Sequence, residues 1–286
     1  MNNIAMIENR KSVRAFRDTP VTEDLRKQIQ EYYAKECRHL VPEIESQLMI
    51  LGTDAQEALE GTAGYQEFLV GAPNYLVLLT GKGEHAVMNA GYMMEDLILK
   101  LVEMGLDSCW VTFTDSDQIK SALKLQSDLS VAAIVAFGYG KKTARKLRIN
   151  IKSMSNIDVE AKRAYYSPRK DVYELVSVNE LGKNDGLDEK MGFYEDMLWQ
   201  SFYAASRAPS YLNRQPYAFL MKDNDLLLIQ MPDAYTDDHS AQLDLGIVLL
   251  HFSAVATQWA NVKWDLNPAV KVDLPEGAHV VASMKL

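Results

Sequence analysis

The chain has 286 residues, with 30 Lys+Arg against 39 Asp+Glu and a formal net charge of −9 at pH 7. A surface of that sign repels polyanions, so nucleic acid is excluded as a partner and any phosphate bound should be a single small one in a local basic pocket. Hydrophobic residues, 48% of the chain, can bury a large core, no apolar run reaches the ~18 residues of a membrane span, and Cys37 and Cys109 supply neither a zinc site nor a disulfide framework.

Met1–Arg10 contains Glu8 and lacks the apolar stretch of a secretory signal. The expected setting is therefore cytoplasmic, with no membrane partner. Thr19–Lys35 reads as a helix, with Thr22 placed to cap it, Glu23 and Asp24 in its first turn, and Leu25 and Ile29 at i, i+4. Leu48–Leu51 is a short apolar run, Asp54–Leu59 a second helical stretch, and Tyr75–Thr80 a buried strand between Pro73 and Gly81. Val87, Ala90, Met94, Leu97, Leu101 and Met104 predict a long helix over Ala86–Met104, which Gly105 ends. Val131–Phe137 predicts a strand closed by Gly138-Tyr139-Gly140. Lys141–Lys170 is polar and basic without clear periodicity and reads as a long connector.

Gly182–Gly186 is rich in turn residues, and Phe193–Ala205 reads as helical. Tyr217–Met221 and Leu226–Met231 predict two strands joined by Lys222–Asp225, and Leu243–Asn261 a second long apolar helix. The order of helix, strand and long helix thus occurs twice. Aligning Ala90-Gly91-Tyr92 with Leu245-Gly246-Ile247 sets the long helices in register, each before a Trp-containing strand (Trp110, Trp264). This implies two related halves, 1–180 and 181–286, packed as a pseudo-dimer.

Three segments could carry chemistry. Arg10-Lys11-Ser12-Val13-Arg14-Ala15-Phe16 offers three cations and a hydroxyl that could chelate a phosphate monoester, although a solvated basic N-terminus has the same composition. In Ala208–Tyr217, Pro209 and Pro216 fix the backbone while Ser210, Asn213 and Gln215 offer neutral donors and acceptors to a polar heterocycle; a capped loop is the alternative. Gly105–Phe113 turns from the long helix into an extended segment whose backbone could face a ligand, or is simply a helix stop beside a buried Trp. Gly138-Tyr-Gly140-Lys-Lys lacks the spacing of a phosphate loop, Asp237-Asp238-His239 reads as an acidic turn rather than a metal site, His251 as a core histidine, and Cys109 as buried and inert.

Taken together, Arg-x-Ser-x-Arg-x-Phe, Gly-Leu-x-Ser-Cys-Trp and Pro-Ser-x-x-Asn-x-Gln-Pro-aromatic resemble the pattern of the FMN-dependent nitroreductase family, over about Ile7 to Asn261. The connector after Gly140 is the least similar part. Ordinary members are homodimers with flavin at the interface and carry the Pro-Ser loop after the first helix. Here it stands only at Pro209, and Lys35–Gln47 lacks it, so the resemblance is to the single-chain, tandem type with one FMN per chain.

The resemblance implies an α+β nitroreductase-like fold, a mixed, mostly antiparallel sheet flanked by helices, with two related halves in one chain. It implies that Arg10 and Ser12 hold the flavin phosphate, with Lys11 and Arg14 nearer the ring and Arg14 facing N1 and the C2 carbonyl. Arg169 and Lys170 match the family's late basic segment without its proline, and Arg145 or Arg148 could substitute. Thr112 and Phe113 fall where backbone groups meet flavin N5, and Pro209, Ser210, Asn213 and Gln215 belong to the loop that meets the ring edge. No side-chain acid or base and no metal is implied. The implied activity is ping-pong electron transfer from NAD(P)H to an organic acceptor such as a nitroaromatic or quinone, by a monomer with an internal pseudo-dimer or by a homodimer. The alternatives are a flavin reductase or dehalogenase with a dedicated substrate, and a flavin storage or sensing protein without rapid turnover.

Overall fold

The structure, a computed structural model, describes residues 2–66, 68–141, 146–153, 156–162, 169–193 and 196–286, with side chains described in all of these except 146–153, 156–162 and 193. Asn2 and Thr22 cap α1 (Asn3–Asn9) and α2 (Glu23–Lys35) by accepting from the backbone N–H of Ala5 and Leu25. β1 (Ser46–Leu51), α3 (Asp54–Leu59) and β2 (Asn74–Thr80) follow, then α4 (Ala86–Glu103). Gly105, at φ +75°, turns the chain out of α4 in a conformation that a β-carbon would oppose. With β3 (Asp107–Val111), α5 (Ser116–Ala122) and β4 (Ser130–Gly138), a sheet of order β1-β2-β4-β3 is complete, antiparallel throughout.

β5 (Lys146–Ser153) and β6 (Asn156–Lys162) pair antiparallel in a small separate sheet. The expected structureless connector therefore contains two strands. Its apolar residues alternate at Leu147, Ile149 and Ile151, a period of two hidden among the charges. α6 (Val172–Leu175), β7 (Val176–Val178), α7 (Leu187–Phe193) and α8 (Met197–Ser206) lead into β8 (Tyr217–Lys222), β9 (Asp225–Gln230), α9 (Asp238–Ala256) and β10 (His279–Lys285). The second sheet has order β10-β9-β8-β7, with β7 parallel to β8 and the other pairs antiparallel.

The α+β class with mostly antiparallel pairing is as expected, and the strands other than β5 and β6 divide equally between two four-stranded sheets. β7 precedes residue 180 yet belongs to the second sheet. Two element assignments are corrected. The helix expected over Phe193–Ala205 is α8 alone, because Asp196 at φ +60° separates it from α7. Trp264 stands in no strand: its Nε1 donates to Ser253 Oγ on α9 at 2.9 Å, and β10 forms only after a further loop.

The layers follow from burial. α3 and α5 cover one face of the first sheet through Leu59 and Ile119. α4 covers the other through Met94, Leu97 and Leu101. Met88, Tyr92 and Leu99 of the same helix reach across to α8, α9 and the second sheet. The outer face of that sheet, Leu220, Leu227 and Ile229, is covered by Val270, Val272 and Leu274. A helix apolar on all sides must be buried on all sides, and α9 is buried from Asp244 to Ala256.

Where α4 and α9 cross, each offers a glycine. A β-carbon on Gly91 would lie 2.4 Å from the Leu243 carbonyl oxygen, and one on Gly246 only 1.9 Å from that of Met88. At the same spacing, 155 residues (246 less 91, 244 less 89), Asn89 and Asp244 also perform one task. Asn89 Oδ1 accepts from the N–H groups of Leu40 and Val41 after α2, and Asp244 from that of Tyr211 after α8.

Candidate functional site

Arg10 closes α1, where the chain becomes extended. The segment after it lies along the first sheet: Ser12 bridges Ser108, Val13 N–H donates to the Ser108 carbonyl at 2.8 Å, and Arg17 N–H to that of Tyr139 at 2.7 Å. Lys11, Ser12 and Arg14 are exposed. Arg14 and Arg10 both lie near Cys109, whose thiol burial pushes up and whose thiolate these cations partly favour. That places Cys109 as an inert core thiol.

Arg10 itself is only 8% exposed. Its Nε stands 3.6 Å from Glu95 Oε1 and has no hydrogen-bond partner. Glu95, fully buried on α4, accepts from Trp110 Nε1 at 2.9 Å and faces His251 Nε2 at 2.9 Å. Burial pushes the Glu95 carboxyl up, but the hydrogen bond from His251, the charges of Arg10 and His251 and the Trp110 N–H together bring it below the usual carboxylate range. His251 is thus the buried histidine expected, with a carboxylate for a partner.

Arg169 lies directly before α6, whose start Asp171 and Glu174 fix by a reciprocal capping box. Its Nη1 donates to the carbonyls of Arg207 and Ala208, at the entrance of the Pro209 loop. Burial lowers its pKa to about 10, and the neighbouring Arg10 charge acts in the same direction. Arg10 and Arg169 are thus near enough for their charges to act on each other, and both are largely removed from solvent. Such a pair suits a doubly charged anion.

Lys170 is spent differently. Its N–H donates to Gln215 Oε1 at 2.8 Å and its ammonium to the carbonyls of Gln215 and Tyr217, at 2.8 and 3.3 Å. Gln215 Nε2 donates to the Ser206 carbonyl at 3.2 Å, so this side chain is buried and engaged within the protein. Ser210 Oγ accepts from Gln215 N–H at 2.9 Å. Leu212, Asn213 and Gln215 have φ of +48°, +58° and +48°, left-handed conformations on either side of a right-handed Arg214 that cost energy for residues with a β-carbon. Buried Pro209, Lys170 and Asp244 hold them in place, the carboxyl of Asp244 being raised by burial well above its ordinary range.

At the other end of β3, the Thr112 carbonyl accepts from Gly64 N–H at 2.7 Å and Phe113 bridges Ala63. The Phe113 ring meets His239 of α9 edge-on, centroids 5.3 Å apart. Tyr65 and Phe68 project from the adjoining loop into solvent, and Leu212 does so from the Pro209 loop.

Of the residues singled out from sequence, the structure sets Arg10 within electrostatic reach of Arg169 and joins Lys170, Ser210 and Gln215. It sets Ser12 and Arg14 along β3 and leaves Lys11 in solvent. Thr112 and Phe113 contact the 63–64 turn, and Asn213 sits in the strained loop. Arg145 and the side chain of Arg148 lie outside the described residues. Sequence reasoning passed over Glu95 and Asp244 as site residues and read Trp110 only as a buried Trp. The signal was present, because Glu95-Asp96 interrupts an apolar helix and buried acids need partners. Asp237 proves to be the N-cap of α9, accepting from Ser240, with His239 Nε2 2.9 Å from the Ala132 carbonyl oxygen. Gly140 ends the β4 segment with its N–H on Asp107 Oδ2 at 3.0 Å.

A family model described as "Putative TM nitroreductase" matches residues 2–256. Among solved structures, a putative nitroreductase from Thermotoga maritima matches with TM-score 0.57 and 17% identity over 99% of this chain and 93% of its own. A nitroreductase family protein from Clostridium novyi matches with TM-score 0.44 and 20% identity over 49% of this chain and 86% of its own. An FMN-dependent nitroreductase from Clostridium difficile matches with TM-score 0.41 and 20% identity over 49% and 89%. No curated protein matches. Among the described residues no helix is long and apolar enough to cross a membrane.

Proposed function

Because the chain belongs to the putative TM nitroreductase family, we propose that it is an FMN-dependent oxidoreductase that passes electrons from NAD(P)H to an organic acceptor such as a nitroaromatic or quinone. The observation that carries this reading is the pairing of Arg10 with Arg169, one of them with a buried Nε lacking a hydrogen-bond partner. Two desolvated guanidinium groups favour a phosphate dianion, and the exposed Ser12 hydroxyl adds a donor beside them.

When bound, FMN supplies the hydride chemistry, and the protein supplies binding, orientation and electrostatics. Arg10, Arg169 and Ser12 would hold the phosphate. Lys170 acts through Gln215, fixing the loop from which Ser210 and Asn213 would meet the ring edge. Thr112 and Phe113, their turn set by Gly64, would present backbone to the ring. Arg14, exposed beside β3, would favour negative charge on it. Donor and acceptor would use one slot in turn, and no side-chain acid or base is assigned. The two sheets, the glycine crossing and the Asn89/Asp244 equivalence support a fused pair of halves, the division falling before β7.

The test is the absorption spectrum of the purified protein, followed by mixing with NAD(P)H. A yellow protein that releases FMN on denaturation and bleaches rapidly supports the enzyme. A flavin that stays oxidised indicates storage or sensing instead, and a protein that takes up no FMN refutes the reading.

A further inference from the structure

His251 on α9 and Glu95 on α4 meet across the seam between the two sheets, both fully buried. His251 Nδ1 lies 3.0 Å from the Ala204 carbonyl oxygen, and Nε2 lies 2.9 Å from Glu95 Oε1. A carbonyl oxygen only accepts, so Nδ1 carries a proton. Glu95 in turn receives the Trp110 N–H and faces the Arg10 Nε, so it is surrounded by donors and suited to the ionised form. The second proton of the contact then belongs on Nε2.

We propose that His251 is held as an imidazolium and acts as a positioning residue that cancels the charge of Glu95, leaving Arg10 and Arg169 with two uncompensated positive charges for a phosphate dianion. The identity of that anion, FMN, rests on the functional reading above; the charge state of the ring does not. With a neutral ring, Glu95 would pair off the charge of Arg10 and leave one. Among the described residues, the other titratable groups around this cluster are the Tyr217 hydroxyl on β8, the Asp244 carboxyl on α9, Arg207 at the end of α8 and the Cys109 thiol on β3, which burial keeps neutral. Burial pushes Tyr217 and Asp244 toward their neutral forms, and Arg207 has its own place over the Tyr203 ring. His251 is therefore the group that balances Glu95.

The experiment uses the full chain labelled with ¹⁵N-histidine, its ring resonances assigned by replacing His39, His85, His239 and His279 with Gln in turn. Both nitrogens of His251 are expected to carry protons in the folded protein, each facing an acceptor. Glu95→Gln should leave the ring with one proton. In His251→Gln, titrated by flavin fluorescence, FMN should bind on the order of tenfold more weakly while riboflavin, which lacks the phosphate, is unchanged. A singly protonated ring in the wild-type protein, or equal losses for FMN and riboflavin, would overturn the proposal. If the wild-type protein binds neither flavin, the functional reading fails, and the ring's protonation alone decides the charge assignment.

Discussion

Replacing Gly246 with alanine places a β-carbon where α9 touches the backbone of α4. It would lie 1.9 Å from the Met88 carbonyl oxygen and 2.7 Å from the Tyr92 nitrogen, whereas ordinary contact begins at 3.4 Å. The helices must separate by about 1.5 Å (3.4 less 1.9), because the obstacle is backbone and has no rotamer to change. Overpacking of a core costs ~1–3 kcal/mol, occasionally more, and a rigid backbone clash at the centre of the seam belongs at the upper end. Alanine returns about 1 kcal/mol of helix propensity. The expected net loss is roughly 2 kcal/mol, read as a lower urea midpoint at unchanged slope. Gly192, in α7, is the control: nothing lies within 4 Å of its would-be β-carbon, so Gly192→Ala should gain about 0.5–1 kcal/mol. A Gly246→Ala protein as stable as Gly192→Ala would refute the close crossing.

Arg10→Ala should weaken FMN binding by about 1.5–3 kcal/mol, the range for a hydrogen bond to a charged group, and leave riboflavin binding nearly unchanged; equal losses would remove Arg10 from the phosphate. Released flavin, quantified against protein, should come to one FMN per chain, and two would contradict the fused-halves reading. At equal occupancy, Arg14→Gln should lower the flavin midpoint potential by some tens of millivolts, 30 mV being about 1.4 kcal/mol in a two-electron couple; an unchanged potential would place Arg14 away from the ring. Asp244 is protonated in both states at low pH. Because burial raises its folded-state pKa above the ordinary 3.8, stability is lost as pH rises beyond that value. Asp244→Asn keeps the acceptor for Tyr211, as Asn89 does for Leu40, and should raise the urea midpoint at pH 7 by an amount that shrinks toward pH 4; a constant difference would discard the linkage.

Much of the fold was legible because local signals agreed. Thr22 with its acidic first turn, the apolar period of α4 ending at Gly105, and the unbroken run of β2 each pointed to one element. β7 is only three residues long, and β5 lay inside a stretch read by its charge, so neither gave a comparable signal. The site was legible as segments and not as contacts. Arg10 and Ser12 are close in sequence, but the approach of Arg169 depends on tertiary packing. Gln215 looked like a ligand-facing amide because its residue type allows it; the structure uses that amide on Lys170 and Ser206. Glu95 was hidden by the strength of the helical pattern around it.

The α4–α9 seam also governs how the chain behaves while it is being made. Met88, Gly91 and Tyr92 lack their main cover until α9 exists, and α9 ends at Ala256, 153 residues after Glu103 closes α4 (256 less 103). At the ribosome's pace of ~5–20 residues per second, the inner face of α4 waits about 8–30 seconds for its partner. A finished first sheet, its other helices in place, spends that interval with an apolar stripe open to water. Chaperone capture or mispairing with a neighbouring nascent chain is to be sought in that window, and a stop codon placed between residues 140 and 238 should yield an aggregating fragment rather than a stable half.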